Sequence, residues 1–461
     1  MRSAQCKGAC DPDRVGTLAY GGRKDVEPVQ FGARCFQGSV LAQEISLLRL
    51  RIVRRRRWSP SISFSPVPIS SCRSLFAGAQ RLLCALATLA FLEIKLMNSG
   101  SLDHHIRLAI AGVGNCAGSL LEGIAYHRER NQTQGLLFPV LAGYSVADIE
   151  VVAAFDVARD KVGRSLGEAI HQPPNNFVRN SGVTVRESTV VMRGPTLDGN
   201  PAHLARLVPE SPRRPVDVEA RLRDSHAHVL VNLLPTGSLE ASAFYAQAAM
   251  AAGCAFVNCI PTVLAQRPEI QEMFSRKGVP LLGDDIKSQL GTTILHRTLL
   301  QMLRLRGARP IRSSQINVGG NTDFANFVYR AETKLASKHK SMATLIEDAE
   351  SHVGHHYDLT RGPYKHAFID IEAVVFGGSP VNLSVRLESD DKPNSAGSVV
   401  DLIRIAKAAL DRRLGGVLHE ACAFYMKSPP VEMAEFEALR RLEDIWVKPW
   451  SYGGMPRTAS K

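Results

Sequence analysis

The chain of 461 residues reads as an α/β protein, a doubly wound parallel sheet into which a smaller α+β unit is inserted. Three patterns support that reading. An apolar run, a glycine turn and an amphipathic helix follow one another around residue 112; strands and helices then alternate to about residue 289; and between residues 366 and 388 the apolar period changes to strict alternation. Continuous apolar runs suit strands buried on both faces of a parallel sheet, whereas alternation suits an antiparallel sheet with one packed face.

The first strand is Ile106-Arg107-Leu108-Ala109-Ile110-Ala111, and Leu120, Leu121, Ile124 and Ala125 then recur at helical spacing. Between them stands Gly112-Val113-Gly114-Asn115-Cys116-Ala117-Gly118-Ser119. The first glycines allow a tight turn and close backbone approach, the later one lets the helix pack on the strand, and the helix start offers free N–H groups to a pyrophosphate. The next strand, Ile149 to Phe155, ends in Asp156, where a ribose 2′-hydroxyl would lie. This Rossmann-like pattern predicts dinucleotide binding with a preference for NAD over NADP; the alternative on these residues is a flavodoxin-like or purely structural glycine turn. The separation from Gly114 to Asp156 is 42 residues, against about 20 in the usual fingerprint, so residues 131 to 144 must form a surface excursion.

A helical stretch through Val162, Leu166 and Ile170 leads to Pro173-Pro174-Asn175-Asn176 and a polar region to about Pro215, read as loops and short elements around the first core. Val229 to Leu234 is the next strand, and Ser238 is placed to N-cap a helix that runs to Ala252 and closes at Gly253. A strand Ala255 to Asn258, a helix ending near Arg276 and a strand Val279 to Leu282 lead into Gly283-Asp284-Asp285-Ile286-Lys287-Ser288-Gln289. Polar residues stand at three of these strand ends: Asn232 with Thr236, Asn258, and Asp284 with Asp285. That edge is where open α/β sheets bind ligands, although the same residue types populate ordinary turns.

A helix from Thr292 to about Arg306 precedes a strand Gln315 to Val318 that ends in Gly319-Gly320-Asn321-Thr322-Asp323-Phe324. Lys334 and Lys338 stand at i and i+4 and share one face if helical. His352, His355 and His356 lack a carboxylate or cysteine framework and read as solvent-facing loop histidines rather than metal ligands. His366 to Phe376 and Val381 to Glu388 pair around Gly377-Gly378-Ser379-Pro380, with Ala367, Ile369, Ile371 and Ala373 as one apolar row. An apolar helix from Ser398 to Asp411, the run Phe424 to Pro430 and a charged helix from Val431 to Glu443 return the chain to its first layer. The division expected is a dinucleotide-binding domain over 97–293, an inserted domain over 294–394 and the return over 395–461.

The formal charge of +12 raises a nucleic-acid reading that its placement removes from the main body. Residues 1–96 hold 15 Lys and Arg against 6 Asp and Glu, and residues 97–461 hold 41 against 38. The front segment also carries Cys6, Cys10, Cys35, Cys72 and Cys84 and the run Arg54-Arg55-Arg56-Arg57. It reads as a disordered tail, or as translated sequence upstream of a start at Met97, rather than as a zinc site, targeting peptide or nucleic-acid arm. Leu82 to Leu92 is too short for a membrane span. Cys116, Cys254, Cys259 and Cys422 read as reduced thiols, so the body is expected to be cytoplasmic, with neither membrane nor nucleic acid as a partner.

Several separated motifs together resemble myo-inositol-1-phosphate synthase of the shorter bacterial type: Gly112-Val113-Gly114-Asn115-Cys116, Ala154-Phe155-Asp156, Gly283-Asp284-Asp285-Ile286-Lys287-Ser288, Gly319-Gly320-Asn321-Thr322-Asp323, Ser337-Lys338, Pro393-Asn394-Ser395-Ala396-Gly397 and Met426-Lys427-Ser428-Pro429-Pro430. The resemblance covers Ile106 to Pro430. It implies an isomerase that oxidises the C5 hydroxyl of glucose 6-phosphate with NAD, enolises at C6 with the substrate's own phosphate as base, closes the ring on the C1 aldehyde and returns the hydride.

Four lysines match family positions, and a lysine crowded by cations trades protons near neutrality. On this resemblance Lys334 and Lys427 serve the C5 and C1 oxygens, Lys338 and Lys365 hold the phosphate, and Asp285 orients a lysine. Gly112, Gly114, Asn115, Gly118, Ser119 and Asp156 hold NAD, Asp323 lies near the nicotinamide, and Ser288 and Asp391 complete that side of the pocket. The resemblance further implies a homotetramer and a divalent or monovalent cation near the cofactor phosphates, with Asp284 and Asp285 as local candidates. The alternatives are a sugar-phosphate dehydrogenase, a cyclase for another sugar phosphate, or an inactive NAD-binding protein.

Overall fold

The computed structural model describes residues 104–177, 182–321, 324, 326 and 350–447, within a compact unit spanning Ile94–Lys461. Asp323, Lys334, Lys338 and the segment 1–96 lie outside the described residues. The strands are β1 (Ile106–Ala111), β2 (Ile149–Asp156), β3 (Val191–Arg193), β4 (Val229–Asn232), β5 (Ala255–Asn258), β6 (Pro280–Leu282), β7 (Arg309–Gly319), β8 (Glu350–Tyr357), β9 (Lys365–Val374), β10 (Pro380–Ser389) and β11 (Gly416–Val417). The longer helices are α1 (Asn115–Arg130), α2 (Val218–Asp224), α3 (Leu239–Ala252), α4 (Pro268–Lys277), α5 (Thr292–Leu305), α6 (Asp391–Asp411), α7 (His419–Tyr425) and α8 (Glu435–Leu442).

Seven strands form a parallel sheet in the order β11-β6-β5-β4-β1-β2-β3. This is the doubly wound, Rossmann-like arrangement, and β1 marks the point where strand order reverses. The apolar runs are buried on both faces, as such a sheet requires. Ile106, Leu108 and Ile110 pack with α1 and α6 on one side, and Ala109, Ala111 and Leu230 with α2, α3 and α4 on the other. The excursion after α1 is held by Arg404 of α6, a fully buried guanidinium that donates to the carbonyls of Phe138, Pro139 and Tyr144 and pairs with Asp401.

The second sheet has the order β10-β9-β7-β8. Strand β9 runs antiparallel to β7 and β10, while β8 runs parallel to β7. Ala367, Ile369, Ile371 and Ala373 form its buried row, beneath Leu300 and Leu303 of α5.

Several elements differ from the sequence reading. The region expected as loops and short elements contains β3, a three-residue strand that joins the parallel sheet, and the helix expected through Val162 shrinks to one turn, Leu166–Ala169. The cause is competition for main-chain partners: Gly163 N–H donates to Val191 O and Leu166 N–H to Thr189 O. Ser238 does occupy the N-cap of α3, but its hydroxyl donates to Pro235 O; Asp198 instead accepts from the amides of Glu240 and Ala241. His352, His355 and His356 stand on β8 rather than in a loop. Helix α6 begins at Asp391, seven residues before Ser398, because Asp390 caps it and Pro393 fits a first turn, where no N–H is needed.

Candidate active site

A cavity of about 310 Å³ opens at the carboxyl ends of the parallel strands, above the strand-order reversal. Gly112, Gly114, Asn115 and Asp156 line one end; Asp285, Ser288, Lys365, Asp391, Lys392 and Lys427 line the other.

The glycine turn is built for close approach. Gly112 has φ +93°, and a Cβ there would stand 2.7 Å from Leu233 O. A Cβ on Gly114 would meet nothing within 4 Å. Helix α1 starts at Gly114 with no side-chain cap, so its first N–H groups face the open space over Gly114, as a pyrophosphate would need. Both ends of the Val113 peptide are held. Its N–H donates to Asp156 Oδ2 at 2.8 Å, and its carbonyl accepts from Lys161 Nζ at 2.8 Å and Asn175 Nδ2 at 3.1 Å. Asp156 Oδ1 also accepts from the amides of Val157 and Ala158. Asn115 exchanges two hydrogen bonds with Asn176, accepting from its main-chain N–H and donating to its side chain. Gly118 and Ser119 lie behind the turn among the described residues: a Cβ on Gly118 would strike the ring of Phe177 at 2.3 Å, and Ser119 is buried.

At the other end Lys427 Nζ donates to Asp285 Oδ1 at 2.8 Å, and the Lys427 N–H donates to Asp285 O. Lys365 forms an ion pair with Asp391. Two helix starts meet here, α5 and α6. Leu290 N–H donates to Asn394 Oδ1 at 2.9 Å, Asn394 Nδ2 donates to Leu290 O at 2.6 Å, and Gln289 N–H donates to Asn394 O at 2.9 Å. Helix α5 begins after Gly291 without a side-chain cap, and the hydroxyl of Thr292, at its first position, is buried with no hydrogen-bond partner among the described residues. Lys287, named in the same motif as Asp285, faces away from these groups: its ammonium donates to Ala423 O and Glu435, and burial lowers its pKa.

Asp284 is not placed as a cation ligand. It is 1% exposed, and its carboxylate accepts from Asn258 Nδ2 and from the amides of Leu264 and Ala265. Burial outweighs these donors and pushes its pKa up to about 7. Among the described residues no group of His, Cys, Asp or Glu is arranged to hold a metal ion, and no helix is long and apolar enough to cross a membrane.

Sequence reasoning passed over Lys161, Asn175, Lys392 and Asn326. Asn326 donates to Thr236 O at 3.0 Å and pairs with His203, tying the turn at Thr236 and the helical turn at His203 together beside the cavity. Only Asn175 carried a signal, in the Pro-Pro-Asn-Asn run; the others make contacts with no local pattern.

The family profile described as "Myo-inositol-1-phosphate synthase" matches residues 291–392. An inositol-3-phosphate synthase of Corynebacterium glutamicum is 44% identical over 358 residues, covering 74% of this chain and 98% of the relative. One from Mycolicibacterium smegmatis is 42% identical, covering 73% and 97%. Among solved structures, that titled "Crystal structure of Ari2" has a TM-score of 0.62 at 36% identity, covering 74% of this chain and 99% of the other.

Proposed function

The chain belongs to the inositol-3-phosphate synthase family, and from that premise we propose that it converts D-glucose 6-phosphate to 1D-myo-inositol 3-phosphate with NAD recycled in each turnover. The observation that carries this reading is one cavity with two differently built ends, a glycine turn under an uncapped helix start and a lysine-bearing wall at the joined starts of α5 and α6.

The residues present fit a dinucleotide. Gly112, Gly114 and Asn115 would take the pyrophosphate at the start of α1, and Asp156, whose carboxylate already fixes the turn, would face the adenosine ribose. Ser288, Asp391 and, outside the described residues, Asp323 belong to the nicotinamide side of this reading. Gly118 and Ser119 would act from behind, by letting α1 and the Phe177 segment close on the turn. NAD, when bound, supplies reversible hydride acceptance at the C5 carbon of the sugar.

The chain's own residues supply charge and position. The start of α5, with the Thr292 hydroxyl and Lys365 nearby, would hold the phosphate. Ring closure turns the C1 carbonyl oxygen into an alkoxide, and Lys427 would donate to that oxygen, its ammonium oriented by Asp285. Loss of a C6 proton to the substrate phosphate leaves negative charge on the C5 oxygen, the place assigned to Lys334; Lys338 would join Lys365 at the phosphate. Both lie outside the described residues.

The test is turnover of glucose 6-phosphate and NAD by the purified protein, with products followed by NMR and NADH by its absorbance. Inositol phosphate accumulating without stoichiometric NADH is expected. Stoichiometric NADH with no cyclitol would replace this reading with that of a dehydrogenase.

A further inference from the structure

Two aspartates in succession each hold a lysine at the same end of the cavity. Asp391 takes Lys365, and Asp390 takes Lys392 at 2.6 Å. Lys392 sits in the first turn of α6, is 4% exposed and lines the cavity. An ammonium carries three N–H donors. The Lys392 ammonium donates to Pro363 O at 2.8 Å and forms an ion pair with Asp390, which leaves donor capacity among the described residues.

Its position is set by the fastening of the two helix starts. Asn394, two residues on, is bonded to Leu290 and Gln289 just ahead of α5. Lys392 therefore stands where both helix dipoles favour an anion. Thr292, whose buried hydroxyl has no hydrogen-bond partner among the described residues, lines the same cavity. Tying Pro363 to α6 needs only an uncharged donor, whereas burying an ammonium carries a desolvation cost. Asp390 offsets that cost, and a dianionic ligand at this wall would meet the donor capacity that remains.

We propose that Lys392 is a ligand of the substrate's phosphoryl group, completing with Lys365 the lysine-bearing wall at the joined starts of α5 and α6. The proposal rests on the reading of the substrate as a sugar phosphate, and goes beyond it in naming a lysine outside the motif set.

The test compares Lys392→Met and Lys392→Arg with the wild type, as full chains with NAD. Inorganic phosphate binding is read by calorimetry and glucose 6-phosphate turnover by product formation. Loss of a charge-assisted hydrogen bond should raise both the KM for glucose 6-phosphate and the Kd for inorganic phosphate roughly ten- to a hundredfold in Lys392→Met. The kcat should change far less than KM, NAD affinity should hold, Tm should fall because the buried Asp390 loses its partner, and Lys392→Arg should recover most of the losses. Unchanged phosphate affinity in a folded Lys392→Met protein, or a wild type that binds no inorganic phosphate, would overturn the proposal. Should Lys392→Met not fold, Lys392→Gln retains a donor for Pro363 O without the charge and is read in the same way. If phosphate affinity falls as expected but the wild type does not turn over glucose 6-phosphate, Lys392 stands as a phosphate ligand and the assigned reaction falls.

Discussion

Lys427 and Asp285 are separated by 142 residues of chain and by 2.8 Å in space. The carboxylate fixes one N–H of the ammonium, so the remaining donors are held at the cavity wall without a search through rotamers. Lys427→Ala should lower kcat by about 10²–10³, the usual cost of losing an oxyanion donor, while NAD binding, read by fluorescence titration, stays as in the wild type. A Lys427→Ala enzyme of near-normal kcat would remove it from the chemistry. The neighbouring Asp284 makes a different prediction. Its pKa is raised by burial to about 7 in the folded state, against about 3.9 in an unfolded chain. Between those values the folded protein holds a proton that the unfolded chain has released, so this group's contribution to stability falls as pH rises from about 4 to 7 and is flat above. Urea denaturation at pH 5 and pH 8 should show wild-type stability declining relative to Asp284→Asn; parallel behaviour of the two proteins would mean that the carboxyl does not titrate there.

At the scale of elements, the molecule fastens helices to the site from behind. Glu435 at the start of α8 is paired with Lys287 at 2.9 Å and with Arg297 of α5 at 3.2 Å, and all three side chains are largely buried. Glu435→Gln leaves two cations facing each other, a change that costs about 3–5 kcal/mol when a buried pair loses one partner. Urea unfolding should report that loss, with the site next to Lys427 loosened along with α8. The cap on α3 is a smaller lever. Asp198 accepts from two amides at the helix start, and Asp198→Ala should lose about 1 kcal/mol, seen as a modest fall in Tm. That cap is an instance of what the sequence concealed. Ser238 has the right residue type one position before the helix, and the placement of α3 was legible from it; the donor accounting was not, because Asp198 arrives from a loop 42 residues away. The same holds for α6, whose apolar stretch was legible from Ser398 while its first turn, which carries Asp391, Lys392 and Asn394, was hidden by a proline that usually marks a boundary.

At the scale of the whole molecule, one face of the second sheet carries exposed side chains among the described residues. Strand β10 is an edge strand with no fully buried residue along its length, and Phe368 and Phe376 are exposed, the latter completely. These two exposed rings, on an otherwise polar face, are where copies of the chain would meet in the homotetramer that the resemblance implies. Phe368→Glu with Phe376→Glu should lower the mass measured by light scattering on a sizing column; an unchanged mass would place the contact elsewhere. The sequence by itself determined the α/β class, the glycine turn, five strands of the parallel sheet (β1, β2, β4, β5 and β6) and the alternating strands β9 and β10 of the second sheet. It could do so because burial on two faces, burial on one face and a tight turn each impose a local period or residue type. Tertiary structure alone decided which charges meet: Lys427 with Asp285, Lys161 with the Val113 carbonyl, Asn394 with Leu290 and Lys392 with Pro363. A hydrogen bond between side chains far apart in the chain imposes no period on either segment, so it becomes visible only when packing of the cores has brought the strand ends together.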